Sequence, residues 1–99
     1  MTVFEQANEI ALNNNLVMSI ALEIAQCIDK MRSGDVHFRF LKKDGSVREA
    51  LGTLKSDVIE PTIKGSGRVT PKNLVAFFDV EKGAWRSFDV NNFLGYDVA

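Results

Sequence analysis

Asn73-Leu74-Val75-Ala76-Phe77-Phe78-Asp79-Val80-Glu81-Lys82-Gly83-Ala84-Trp85-Arg86-Ser87-Phe88-Asp89-Val90-Asn91-Asn92-Phe93 reads as two short strands joined by a tight Glu-Lys-Gly turn. Strand alternation sends Trp85 and Arg86 to opposite faces. One of them helps fill the core, and the other stands at a surface or pocket. A planar guanidinium fixed on a rigid hairpin suits a phosphate or a carboxylate.

Upstream, Val36, Phe38 and Phe40 alternate with His37, Arg39 and Leu41, the pattern of a half-buried strand. Lys43-Asp44-Gly45 then offers an Asp-Gly pair for a primed hairpin turn. The returning strand spans Ser46 to Leu54, with Gly52 expected as a bulge or bend that curls a small sheet. Residues 55–72 hold both prolines and no clean period, so they read as a long irregular loop with a short strand near Ile59–Ile63. Asn91-Asn92 reads as a helical turn, and Leu94–Val98 as a short closing strand.

Farther out the period is helical. Thr2-Val3-Phe4-Glu5 has the form of a capping box, so a helix starts at Val3 and runs to about Leu12. Asn13-Asn14-Asn15 both stops that helix and caps the next. From Leu16, apolar residues at Ile20, Ile24, Ile28 and Met31 form a stripe that ends at Ser33-Gly34. The fold class is therefore α+β. An N-terminal helical segment over 1–34 leads into a small, strongly bent antiparallel β-barrel of about five strands over 35–99, together one compact domain.

Ninety-nine residues suit a single modest core. The longest apolar stretch, Leu16 to Ile28, is interrupted by Ser19, Glu23 and Gln26 and is too short to span a bilayer. The first residues lack a basic signal-peptide region, and one Cys excludes an internal disulfide, so a cytoplasmic protein without membrane partners is expected. The net charge of −1 hides segregation: −4 over 1–29, +5 over 30–72 and −2 over 73–99. A cationic middle can steer an anionic ligand. Near-neutrality argues against tight, non-specific duplex binding.

The residues Phe40 to Leu54, followed by Phe77-Phe78-Asp79 and Trp85-Arg86-Ser87-Phe88, resemble the small WYL-like proteins with an Sm-like, SH3-type barrel, which are frequent in phages and their bacterial hosts. The resemblance covers about residues 35–95. It implies an SH3/Sm-like barrel and, from the larger WYL domains, sensing of nucleotides or nucleic acid. Arg86 and Phe88 match the Arg-x-Phe of the signature hairpin. The Trp-Tyr-Leu tripeptide itself is absent, since Asn73-Leu74-Val75 stands there, and two usually basic positions are Asp89 and Asn92. The fold inference survives these departures; inheritance of the same ligand does not follow.

Arg86, with Arg48 and Arg39 on neighbouring strands, is expected to form a cationic pocket. The competing reading is an Arg86 stem packed on Phe88 with its head paired to Asp79 or Asp89. Lys64-Gly65-Ser66-Gly67-Arg68 offers free backbone N–H groups between two cations, as phosphate nests do, against the plainer reading of a loop tip. Trp85 and Tyr96 are candidate stacking surfaces for a base, against core packing. His37 and Cys27 lack the neighbours a metal or catalytic site needs. No catalytic motif stands out, and no cofactor is expected.

The function expected is a non-enzymatic binding protein for a small anionic, nucleotide-like ligand, in one version a phage-encoded sponge of a nucleotide immune signal. The ligand set would be Arg86, Arg48, Arg39, Trp85, Lys64, Arg68 and Tyr96. The alternatives are a single-stranded nucleic-acid binder or a protein-interaction adaptor. The apolar surface of the helical pair exceeds what one small barrel covers, so a homo-oligomer is expected.

Overall fold

The computed structural model describes residues 2–62 and 70–97. Helix α1 (Val3–Asn14) opens on the capping box: the Glu5 N–H donates to Thr2 Oγ1 at 3.1 Å, and the Thr2 N–H donates back to Glu5 Oε1 at 3.3 Å. It closes at Asn15, whose φ of 51° is a left-handed conformation that Asn tolerates. Helix α2 (Met18–Met31) follows at once. The Asn triplet stops the first helix but does not cap the second, whose cap is Val17 without a side-chain hydrogen bond. Ala7 of α1 meets Ala21 and Ala25 of α2, all fully buried, so small side chains bring the two helices close.

Five strands follow: β1 (Val36–Leu41), β2 (Val47–Thr53), β3 (Leu74–Asp79), β4 (Ala84–Asp89) and β5 (Phe93–Tyr96). They form one antiparallel sheet in the order β4-β3-β2-β1-β5. The sheet does not close, yet it curls hard. Phe88 on edge strand β4 lies 5.6 Å, centroid to centroid, from Phe40 on β1 and 5.5 Å from Phe93 beyond it. Strands that are not neighbours meet only across the inside of a bent sheet.

That inside is aromatic. Phe38 packs edge-on to Phe77 at 4.9 Å, and Ile24, Cys27, Ile28 and Met31 of α2 cover the cluster. The helix is also tied to the sheet by polar bonds. Met31 O, one of the carbonyls a helix end leaves without an internal partner, accepts from the Leu54 N–H at 2.8 Å and from Thr53 Oγ1 at 3.2 Å. Thr53 is fully buried, and it needs these partners.

Three local expectations are corrected. Gly52 is no bulge: β1 and β2 pair in continuous register up to it, β2 and β3 pair without a shift at Gly52 and Thr53, and a Cβ there would lie 2.8 Å from the rings of both Phe38 and Phe77. The irregularity falls instead on β5, where Leu94 is the extra residue between the Arg39–Gly95 and Phe40–Phe93 pairs. The β1–β2 turn is not a primed turn, because Gly45 alone takes positive φ (87°) while Asp44 accepts from the Ser46 N–H and hydroxyl. Residues 56–62 are helical turns, Ser56–Ile59 (α3) and a 3-10 turn Glu60–Thr62, where a strand is expected. Pro61 lacks the N–H a ladder needs. Ile63 lies outside the described residues. The Asn91-Asn92 turn is a 3-10 turn, Val90–Asn92, started by Asp89 accepting from the Asn91 N–H.

Candidate ligand groove

Strands β2 and β3 pair at only two positions, Gly52 with Asp79 and Thr53 with Phe78. Beyond them the N-terminal half of β2 leaves the ladder, and a groove of about 540 Å³ opens between the β1–β2 and β3–β4 hairpins. Arg48 lies four residues along β2 from Gly52, about 13 Å from the end that α2 covers. The floor is Phe40, Leu74 and Phe88, and the rim carries Lys42, Lys43, Arg48 and Arg86. Asn73, Asn92, Ser87 and Asp89 supply the remaining polar groups.

Arg86 enters the groove because it pairs with Phe77 and so shares the inner face with Phe88. It makes no ion pair or side-chain hydrogen bond among the described residues. Pairing with Asp79 or Asp89 is not its state, since both carboxylates have other partners. Asp89 accepts from the Asn91 N–H at 2.9 Å and from Asn73 Nδ2 at 3.1 Å. The Asn91 N–H, helped by the Asn73 amide, holds its pKa below the ordinary carboxylate value.

Arg48 is in the same groove but is not free. Its Nη2 donates to Asp79 Oδ2 at 2.6 Å, and Asp79 is 1% exposed. The other Asp79 oxygen accepts from the Glu81 and Lys82 N–H groups, each at 3.0 Å. The pair therefore fixes where Arg48 points while offsetting its charge.

The other expected ligands are not brought here. Arg39 projects from the outer face of β1, because Phe38 and Phe40 take the inner face, and its Nη1 pairs with Asp97 Oδ1 at 3.0 Å. A pocket shared by all three arginines is thus corrected to one shared by two. Trp85 stands on the outer face against Phe78, ring centroids 6.0 Å apart. Tyr96 turns toward α2, its hydroxyl donating to Gln26 Oε1 at 3.1 Å. Lys64 and Arg68 lie outside the described residues.

Sequence reading missed Lys42, Lys43, Asn73 and Asn92 as groove residues. The lysines look like a solvated hairpin tip until the opposing hairpin folds over beside them. The Asn73 amide carried a detectable signal, being one residue before a strand whose partner ends in Asp89. His37 lines a second cleft of about 480 Å³ with Lys30, Asp35, Leu51 and Asp97. Among the described residues, no group of three or more His, Cys, Asp or Glu is arranged to hold a metal, and no helix is long and apolar enough to cross a membrane. Burial, with a smaller contribution from Glu23, pushes the Cys27 thiol up to about 12.

A helical pair leading into a curled five-stranded antiparallel sheet, with its groove between two hairpins, defines a small Sm-like, SH3-type β protein. Residues 24–94 match the family model WYL_2, Sm-like SH3 beta-barrel fold, and the chain belongs to that family. It is also similar to an uncharacterised 11.5 kDa protein of the Gp31-cd intergenic region of Enterobacteria phage T4. The two are 32% identical over 71 residues, covering 66% of this chain and 68% of the relative. No solved structure matches the chain significantly.

Proposed function

We propose that the protein is a non-enzymatic binding protein that holds a small anionic, nucleotide-like ligand in the groove between the hairpins. One observation carries the reading: Arg86, without an ion-pair partner among the described residues, lines the same groove as Arg48, Lys42 and Lys43. Among the described residues, Asp89 is the one carboxylate lining that groove, and it is occupied by amide donors. The groove's volume falls in the range of small-molecule sites. A phage relative supports one version, in which a phage-encoded copy sequesters a nucleotide immune signal in the host cytoplasm. Exposed Phe4, Leu12 and Val17 on the helical pair support self-association as part of the same reading.

Single-stranded nucleic acid as ligand draws less support, because Trp85 and Tyr96, the expected stacking surfaces, stand outside the groove. The test is thermal unfolding and calorimetric titration against a panel of cyclic and linear nucleotides. A ligand that binds the folded state raises Tm, and Arg86→Ala abolishes the rise. No shift with any member of the panel overturns the proposal.

A further inference from the structure

We infer that the groove selects a ligand whose two anionic groups are separated by a neutral body, as in a nucleoside 3′,5′-bisphosphate unit, over one whose charges are adjacent. This rests on the reading of the groove as a phosphate site. The argument is the placement of its free charge. Lys42 and Lys43 sit on the β1–β2 hairpin tip, and Arg86 sits on β4. β4 and β1 are not neighbours in the sheet order, so Arg86 and the two lysines reach the groove from different hairpins. The curl that brings Phe88 to Phe40 sets these cations on opposite banks.

Between the banks there is little uncompensated charge. Arg48 is tied to Asp79, and the floor is the apolar surface of Phe40, Leu74 and Phe88. Asn92, with no side-chain hydrogen bond among the described residues, offers a neutral donor and acceptor there. A ligand with one anionic group for each bank and a hydrogen-bonding, partly apolar middle matches that order. A pyrophosphate, whose phosphorus atoms share one bridging oxygen, reaches a single bank.

The experiment is calorimetric titration with the 5′-monophosphate, 5′-diphosphate, 5′-triphosphate and 3′,5′-bisphosphate of adenosine and of guanosine, at fixed salt. The bisphosphate is expected to bind about tenfold tighter than the diphosphate and also tighter than the 5′-triphosphate, whose charge is at least as large. Arg86→Gln and the pair Lys42→Gln with Lys43→Gln should each remove that advantage; thermal unfolding verifies that both variants fold. A trinucleotide included as a further probe distinguishes a free ligand from a strand carrying the same unit. Diphosphate or triphosphate binding as tight as bisphosphate overturns the inference while leaving the groove reading intact. Binding of none of these nucleotides overturns both.

Discussion

Arg48 Nη2 and Asp79 Oδ2 lie 2.6 Å apart and join the two hairpins at the point where β2 and β3 stop pairing. Asp79 is 1% exposed, whereas the Arg48 side chain keeps 24% of its surface. One carboxylate thus caps the β3–β4 turn through the Glu81 and Lys82 N–H groups and holds a cation from the neighbouring strand. A side-chain bond replaces the ladder that the opening groove removes.

Asp79→Ala should therefore cost about 3 kcal/mol, because it strands two turn N–H groups and a half-buried guanidinium. Arg48→Met should cost less, about 1 kcal/mol, since the carboxylate keeps both backbone donors. Urea unfolding of the two variants gives the comparison. Equal, small losses would show that the pair does not hold the hairpins together.

Gly52→Ala should destabilise by about 1–3 kcal/mol through overpacking. Its Cβ would meet Phe38 Cε1 and Phe77 Cδ2 at 2.8 Å and Met31 Sδ at 3.1 Å. Met31 can shift, but two interlocked rings cannot. A urea midpoint equal to that of the parent would contradict this packing.

Much of the fold was legible because its signals are local. The capping box at Thr2–Glu5, the stripe from Ile24 to Met31 and the alternation from Val36 to Phe40 each declare an element within a few residues. The local sequence around Gly52 fitted a bulge; the reason for glycine there is three side chains from β1, β3 and α2, which no local pattern contains. The groove was half legible for the same reason. Alternation put Arg86 beside Phe88, but the Asp97 partner of Arg39 and the approach of Lys42 and Lys43 depend on how the sheet curls.

The Asp89 turn gives a pH signature. Its folded pKa is depressed, chiefly by the Asn91 N–H, so its stabilising contribution is complete above the unfolded value of about 3.9 and is lost as pH falls through the lower folded value. Asp89→Ala should cost about 1 kcal/mol at pH 7, like the loss of a cap, and that difference should shrink as the pH falls through the lowered folded value. Urea unfolding across that pH range checks both; a difference constant to the lowest pH would contradict it.

Cys27 should be inert in the folded protein. It is fully buried, and its thiol is pushed up to about 12. The thiolate is the reactive form, so a thiol reagent at pH 8 should label it only after denaturation. Rapid labelling of the native protein would mean that α2 opens readily from the sheet.

The central claim is that anions settle between the two hairpins. Backbone and arginine side-chain amide spectra, recorded by NMR while a nucleotide that raises Tm is added, test it most directly. The account predicts shifts confined to Lys42, Lys43, Arg48, Asn73, Asn92 and residues 86–89, with the Arg86 side-chain N–H moving most. Shifts centred on the Arg39–Asp97 pair or the His37 cleft, with the Arg86 signals unmoved, would contradict it.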